Sequence, residues 1–347
     1  MSQLRTVLGD IDSAEMGITL AHEHILCDSS SWFQDPTDPD GVEFARADPV
    51  IENLWWMRQH PNSNRSVLTL DDTDIAVREL AAFKQLGGRT VIDLTSIGLG
   101  RDPEGIAEVS RRTGLNVVLG TGFYVAASHS EDVRSSTVDE LTERIIQEIE
   151  VGIGETGIRA GVIGEVGMSH PLAPSEERSL RAAARGAAAT GAAISVHTAA
   201  HAVEVESALI AADILGEEGA DLSRVVMGHM DTTLHKADYH RRVLELGCYV
   251  EFDLFGHEFF ESENDFISPG DYEKTKAVSR LVDEGFASQL LLSHDICYKI
   301  QLRTWGGYGY AHLLQNIIHR FVLEGVPEST VLDIMTQNPA RVFPLES

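Results

Sequence analysis

The sequence of 347 residues predicts a single (β/α)8 barrel. Short runs rich in Val, Ile and Leu alternate with longer segments of helical periodicity, and eight such units can be counted. No Gly-x-Gly-x-x-Gly motif follows the first strand, as it would in the alternative fold, an open doubly wound sheet. Eight right-handed units instead close naturally into a barrel, which leaves no exposed sheet edge.

The predicted strands are short apolar runs that are separated by helices or long loops. In chain order the strands cover residues 17–26, 90–95, 116–124, 160–166, 193–197, 224–229, 249–254 and 290–295. Six helices are indicated by their Ala, Leu, Glu and Arg content, over residues 74–86, 138–151, 175–190, 202–214, 240–246 and 272–284. Glycine follows four of them, as expected where a helix stops, at Gly87, Gly191, Gly247 and Gly285.

Two segments interrupt this alternation, residues 28–72 after the first strand and residues 298–310 after the eighth. In a barrel both are loops on the face that carries active sites, so we expect one domain over residues 1–347 with a long active-site loop at 28–72. All four tryptophans lie in these loops, at Trp32, Trp55, Trp56 and Trp305. They predict an aromatic cluster that holds the long loop in place, and a substrate lid is the alternative. The Asp- and Pro-rich stretch 35–40 predicts a solvated loop.

Charge and composition exclude several classes of partner. The chain has 27 Lys and Arg against 54 Asp and Glu, and its net charge of −27 opposes binding to nucleic acid or to anionic membrane surfaces. Three cysteines are too few for a disulfide scaffold, and neither an apolar leader nor a membrane-spanning run is visible. We therefore expect a soluble cytoplasmic protein that acts on a small molecule.

Residues that commonly bind metals end five of the predicted strands. His22 and His24 end the first strand, and strand alternation directs both side chains to the same face. Four further strands end in Glu165, His197, His229 and Asp295. An ionised carboxylate at the end of an apolar strand is costly unless it is paired or bound to a metal, so this set predicts a metal centre.

The types of these six residues indicate which metal ions they would bind. Imidazole nitrogen combined with carboxylate oxygen suits Zn²⁺, Mn²⁺, Co²⁺ or Fe²⁺ better than Ca²⁺ or Mg²⁺, and Zn²⁺ is our first choice. Six side chains exceed what one catalytic zinc ion needs. The sequence therefore predicts two divalent metal ions that share a carboxylate.

Collinear motifs extend this pattern along nearly the whole chain. They are GITLAHEHIL at 17–26, GLGRD at 98–102, GTGFY at 120–124, GGYGY at 306–310, and Asn338-Pro339. With the ligand positions between them, these motifs make the chain resemble the phosphotriesterase-like branch of the amidohydrolase superfamily. The resemblance implies an amidohydrolase-type barrel with a binuclear metal centre. It also implies that His22, His24 and Asp295 hold the more buried ion, and that His197 and His229 hold the more exposed ion.

Two departures from the better-known members are visible. Their bridging ligand is a carboxylated lysine on strand four, but no lysine lies between Lys84 and Lys236 in this chain. The resemblance then implies that Glu165 bridges the ions, as in a subset of the family. Leu254 stands where lactonases of acyl-homoserine lactones have arginine, so we do not expect that specificity.

The resemblance implies a hydrolase in which a hydroxide bridging the ions attacks the carbonyl of a small carboxylic ester or lactone, with Asp295 as the catalytic proton acceptor. Phosphotriester cleavage is expected as a side activity. An amide or N-acyl substrate is the alternative, and a non-catalytic barrel that binds a small ligand is an alternative of another class. By analogy, such barrels often form homodimers.

Four further residues are candidates for substrate contacts. Tyr124 matches a tyrosine that approaches the metal pair and the substrate oxygen in related lactonases, and a core aromatic residue is the alternative. Lys299, Arg303 and Trp305 follow Asp295 on one loop, where they predict binding of an anionic substrate group. Surface salt bridges are the alternative for the two basic residues.

Overall fold

The computed structural model describes residues 2–36 and 39–346, and eight parallel strands form its central sheet. The strands are β1 (Ile18–Glu23), β2 (Gly88–Asp93), β3 (Asn116–Thr121), β4 (Val162–Gly167), β5 (Ile194–His197), β6 (Val225–Met227), β7 (Tyr249–Phe252) and β8 (Leu290–Leu292). They pair in sequence order from β1 to β8. The backbone N–H of Asp295 donates to the carbonyl of His22 at 3.2 Å and joins the two ends of the sheet. The predicted (β/α)8 barrel is confirmed.

Helices surround the sheet. They are α1 (Thr73–Gln85), α2 (Pro103–Thr113), α3 (Val138–Glu150), α4 (Pro174–Thr190), α5 (Ser207–Glu217), α6 (Ala237–Glu245), α7 (Asp271–Asp283), α8 (Ile318–Leu323) and α9 (Glu328–Val342). Local chemistry sets several boundaries. The Asp72 carboxylate accepts from the N–H of Ile75 and begins α1, and Gly191, with φ of +71°, ends α4. The six predicted helices are present, although α5 starts five residues later than expected because residues 198–206 form a loop.

Six of the eight predicted strands run too long at their carboxyl ends, and β4 and β5 are the exceptions. Strand β1 ends at Glu23 and β8 at Leu292, three residues before the predicted ends. After these residues the backbone no longer pairs with the neighbouring strands, and polar side chains point toward the opening of the barrel. His229 and Asp295 do so with positive φ values of +57° and +47°, a conformation that costs energy for residues other than glycine and that is common at functional sites.

An apolar interior closes the opposite end of the barrel. An antiparallel hairpin of Gln3–Thr6 and Gly9–Asp12 lies there, and the N–H of Val7 donates to the carbonyl of Val117 at the start of β3. Leu4 of this hairpin packs with Phe343 and with inward side chains from the strands in one buried cluster. A second apolar layer fills the space between the sheet and the helices. The six predicted metal ligands lie toward the other end of the barrel, where the strands have their carboxyl ends.

The long loop at residues 28–72 covers part of the barrel mouth. Its stem is an antiparallel pair formed by Cys27–Asp28 and Thr69–Leu70. Trp56 is buried in an apolar cluster with Tyr298, and Trp305 packs against the same cluster, so both tryptophans anchor the loop as predicted. Trp55 is instead exposed, and Trp32, which also packs against this cluster, lines the cavity described below.

The short helices of this loop are Pro39–Phe44 and Leu54–Met57, and a further short helix, Glu131–Ser135, precedes α3. The stretch 35–40 was predicted to be a solvated loop. Thr37 and Asp38 lie outside the described residues, and the chain is helical from Pro39 onward. None of the helices within residues 2–36 and 39–346 combines the length and the apolar character that crossing a bilayer requires.

Candidate functional site

Six side chains from five strands converge at the carboxyl end of the barrel. Strand β1 supplies His22 within the strand and His24 directly after it; the others are Glu165 in β4, His197 at the end of β5, His229 after β6 and Asp295 after β8. The ladder shifts register between Leu20 and Glu23 and again between Ile163 and Val166. Such irregularities re-aim side chains, and each lies beside a predicted ligand. The structure thus brings all six predicted ligands together.

Glu165 lies between the two histidine pairs. Its Oε1 is 3.3 Å from Nε2 of His24, and its Oε2 is 2.9 Å from Nδ1 of His197 and 3.4 Å from Nε2 of His22. Burial alone would raise the pKa of this carboxyl, but the imidazoles of His197, His22 and His229 hold the pKa well below its usual range. A permanently ionised carboxylate therefore faces both pairs.

Asp295 completes the group on the β1 side. Its Oδ1 lies 3.2 Å from Nε2 of His24 and 3.8 Å from Nε2 of His22. Potential ligand atoms of His22, His24 and Asp295 all lie within 4.8 Å of one another, and so do those of His22, Glu165 and His229. The side chain of Asp295 is 12% exposed, against 2% for Glu165, so Asp295 is the more exposed of the two carboxylates that line the cavity.

Two acidic residues, Glu251 in β7 and Asp253 directly after it, contact the Nδ1 atoms of the histidines. Asp253 lies 3.1 Å from Nδ1 of His22 and 3.0 Å from Nδ1 of His229, and it also accepts from the backbone N–H of His229 at 2.8 Å. Glu251 lies 3.2 Å from Nδ1 of His22, and Thr95 Oγ1 lies 3.0 Å from Nδ1 of His24. Acceptors at Nδ1 fix the tautomer, so the Nε2 lone pairs of these rings face the centre.

Sequence reasoning missed Asp253 and Glu251. The available signal was their alternate spacing in an otherwise apolar strand, which directs both carboxylates to one face, as for His22 and His24. Burial would raise the pKa of Asp253, but His229 and His22 hold it well below its usual range. Asp253 therefore holds a full negative charge against both imidazoles.

The donor atoms fit a pair of divalent cations. Nε2 of His22 is buried and has no hydrogen-bond partner within the described part of the chain. Nδ1 of His197 and Nε2 of His229 lie only 2.7 Å apart, and both face Glu165. Ring nitrogens this close to one another and to carboxylates need a proton or a cation between them. Four imidazoles and two carboxylates form the mixed nitrogen and oxygen set that Zn²⁺ and similar ions prefer.

A cavity opens beside this cluster, and Tyr124 lines it with Trp32. The indole N–H of Trp32 donates to the hydroxyl of Tyr124 at 3.0 Å, and the Tyr124 ring lies 5.0 Å from that of His197. Tyr124 thus stands at the predicted place beside the cluster. The remaining wall carries Leu254, Phe266 and Tyr298, together with the polar residues His201, His257 and Glu261.

The structure does not bring Lys299, Arg303 and Trp305 to this cavity. Nζ of Lys299 lies 3.4 Å from Oδ1 of Asp71 and 5.8 Å from the Trp305 ring. Arg303 donates through Nε to the carbonyl of Tyr308 at 3.0 Å. Two 3₁₀ turns, Lys299–Gln301 and Arg303–Trp305, direct these side chains toward the 28–72 loop and the surface. The geometry favours surface pairing for the two basic residues over contact with an anionic substrate group.

The chain is similar to known proteins along nearly its whole length. A family model described as the phosphotriesterase family matches residues 2–343. N-acetyltaurine hydrolase from Mus musculus is 36% identical over 343 residues, which is 98% of this chain and 97% of that protein. A resiniferatoxin-binding protein from Rhodobacter sphaeroides has a similar structure, with a TM-score of 0.96 and 35% identity over 100% of this chain and 96% of that one. A lactonase from Listeria monocytogenes has a TM-score of 0.81 and 27% identity over 100% of both chains.

Proposed function

Because this chain belongs to the phosphotriesterase family, we propose that it is a metal-dependent hydrolase that cleaves the amide bond of a small N-acyl compound. The observation that carries the proposal is the convergence of His22, His24, Glu165, His197, His229 and Asp295 beside one cavity. The choice of an amide reverses the order of substrates expected from the sequence. It is supported by the 36% identity to an N-acetyltaurine hydrolase along nearly the whole chain, against 27% to the lactonase.

The chemistry divides between the metal ions and the side chains. Two divalent cations held by the six residues, with Zn²⁺ as the first choice, would lower the pKa of a water molecule and polarise the scissile carbonyl. Asp295 is the proton acceptor for the attacking water, since it is the more exposed of the two cluster carboxylates that line the cavity. Asp295 then returns the proton to the leaving nitrogen. This second transfer matters more for an amide than for an ester, because an amine leaves poorly until it is protonated.

Tyr124 would stabilise the charge that develops on the carbonyl oxygen. Its hydroxyl oxygen accepts the indole N–H of Trp32, so its own proton is free to donate into the cavity. A fixed donor of this kind favours the transition state because no solvent has to reorganise during the reaction.

The proposal is tested with protein loaded with Zn²⁺ or Mn²⁺ and a panel of N-acetyltaurine, a lactone, a carboxylic ester and a phosphotriester. We expect the highest kcat/KM for the amide, measured as release of primary amine. Asp295→Asn should lower kcat by roughly 10²- to 10⁴-fold while substantial metal remains bound, and Glu165→Ala should instead lower the metal content of the purified protein. Full activity of Asp295→Asn, or two metal equivalents in Glu165→Ala, would contradict these roles.

A lactone or ester is the second candidate substrate. It is favoured by the structural similarity to the Listeria monocytogenes lactonase and by Tyr124 beside the cluster. Lactone or ester cleavage without any amine release would support this candidate and refute the amide. If metal-loaded protein cleaves none of the compounds in the panel, the result would instead support a binding protein, as the relative from Rhodobacter sphaeroides is described.

A further inference from the structure

A second polar group lies in the cavity wall, outside the metal-ligand cluster. It consists of His201, His257 and Glu261, and we call it the His-Glu-His group. Its residues come from two loops: His201 follows β5, and the other two follow β7, where Phe260–Glu261 pairs with Phe266–Ile267. These loops lie between the barrel and the 28–72 loop, since Glu261 accepts from Nδ2 of Asn62 at 3.0 Å.

Glu261 organises this group. It is only 2% exposed and accepts from Nε2 of His201 at 3.0 Å and from Nδ2 of Asn264 at 3.1 Å. Its other oxygen, Oε1, lies 3.3 Å from Nε2 of His257. Burial would raise the pKa of Glu261, but His201 and His257 hold it well below its usual range. A buried, ionised carboxylate therefore lies between the two imidazoles.

His257 is the unusual member of the group. It is 4% exposed and lines the cavity, yet its Nδ1 has no hydrogen-bond partner among the residues that the structure describes, and its Nε2 has only the ion-pair contact with Glu261 at 3.3 Å. The ring is held in place by stacking on Phe259 at 3.8 Å and by an edge contact with Tyr298 at 5.9 Å. Buried polar side chains are rarely left without partners, so a fixed and unsatisfied imidazole in a cavity wall indicates a partner that arrives with the ligand.

The charges around the cavity suggest which partner this is. Among residues 2–36 and 39–346, no lysine or arginine lines the cavity, and Lys299 and Arg303 are engaged elsewhere. Outside the metal-ligand cluster, an acidic group on a ligand would therefore accept its hydrogen bond from an imidazole. With Nε2 directed at Glu261, Nδ1 is the ring nitrogen of His257 that is left to face that group, and an imidazole that contacts acceptors on both sides donates from both nitrogens.

We propose that His257, backed by Glu261, binds the acidic end of the substrate, a sulfonate or carboxylate, and thereby determines specificity. The proposal rests on the function proposed above, in which an N-acyl compound is cleaved at the metal centre. The acyl group then lies at the metal-ligand cluster, and the acid of the leaving amine lies at the His-Glu-His group.

Three acetamides that differ only at the tail test the proposal: N-acetyltaurine with a sulfonate, N-acetyl-β-alanine with a carboxylate, and uncharged N-propylacetamide. His257→Phe keeps a ring to stack on Phe259 and removes both nitrogens. We expect it to lower kcat/KM for the two anionic amides roughly 10- to 100-fold, mainly through KM, with less than a threefold change for the neutral amide. A larger loss for the sulfonate than for the carboxylate identifies the preferred acid.

Two further variants make this result specific. His257→Asn retains a donor without a positive charge and should cause an intermediate loss. His60→Phe is the matched control, because His60 also stacks on an aromatic ring, that of Trp56 at 4.6 Å, but does not line the cavity. It should leave all three substrates unchanged. Equal losses on all three amides in His257→Phe, or no loss on any, would overturn the proposal.

Binding separates this inference from the proposed function. The Kd of N-acetyltaurine is measured by calorimetry for zinc-loaded Asp295→Asn, with and without His257→Phe, and needs no turnover. If the double variant binds N-acetyltaurine more weakly but the unmodified protein cleaves no amide, the anion subsite is supported and the proposed amide hydrolysis is refuted. Amide cleavage that is insensitive to His257→Phe would refute the subsite alone.

Discussion

Asp253 contacts one histidine from each half of the predicted metal centre, so its substitution tests both ion sites at once. Its carboxylate contacts Nδ1 of His22 at 3.1 Å and Nδ1 of His229 at 3.0 Å. In the arrangement that the family resemblance implies, these two histidines bind different ions. Asp253→Asn should therefore weaken binding of both ions at once, although Asp253 is not predicted to touch either.

The magnitude follows from the hydrogen bonds that are lost. An amide in place of the carboxylate keeps one neutral acceptor, so one charge-assisted hydrogen bond, about 1.5–3 kcal/mol, is lost or weakened at each imidazole. That corresponds to a loss of roughly 10- to 100-fold in affinity for each ion, the usual effect of removing such an outer partner. Stepwise metal affinities are measured by competition with a chromophoric chelator, and total metal content by mass spectrometry.

Glu251 provides the matched control. It lies on the same strand and contacts Nδ1 of His22 at 3.2 Å, but no contact with His229 is seen within the described residues. Glu251→Gln should therefore weaken only the ion that His22 binds, with circular dichroism showing an unchanged fold. Weakening confined to one ion in Asp253→Asn, or equal weakening of both in Glu251→Gln, would refute the reasoning.

Two predictions concern stability away from the metal centre. Burial lowers the pKa of His240 from 6.5 to about 4, so the neutral ring stabilises the fold above pH 6.5, and roughly 3 kcal/mol is lost as the pH falls toward 4. Urea unfolding of His240→Asn should show a flatter pH dependence over this range, and an unchanged slope would contradict the assignment. Arg101 forms a buried bidentate pair with Glu148 at 2.9 Å. Arg101→Ala should cost about 3–5 kcal/mol of unfolding free energy, whereas Arg101→Met with Glu148→Leu should restore most of it; equal losses in both variants would contradict this.

The barrel and the convergence of the six candidate ligands could be predicted from the sequence because both depend on regular structure. Parallel strands end at one edge of a sheet, so His22 and Asp295 meet there whatever path the loops take. The strand ends were less predictable, because apolar residues such as Ile25 and Leu26 remain buried after the chain has left the ladder. The hydrophobic pattern of the sequence indicates which residues are buried, and residues remain buried after the strand has ended.

The loops were the least predictable part, because their side-chain directions depend on tertiary contacts rather than on spacing. Lys299 is four residues from Asp295, yet a 3₁₀ turn directs it to Asp71 in the 28–72 loop. His257 and Glu261 showed no pattern beyond lying near strand seven, and their proximity depends on a two-residue hairpin pairing. Sequence spacing carries this information only within helices and strands.

The proposed metal ligands and the cavity wall come from different parts of the fold, and this separation has an evolutionary consequence. The residues proposed to hold the ions belong to the strands or follow them directly, whereas most of the cavity wall comes from the loops after β1, β5 and β7. The 28–72 loop leaves and re-enters the barrel through one short antiparallel stem, Cys27–Asp28 with Thr69–Leu70. Replacing the segment between the two stem strands would change the cavity wall, and with it the substrate specificity, without altering the proposed metal ligands. New specificities are therefore accessible by recombination of this loop rather than by gradual redesign of the barrel.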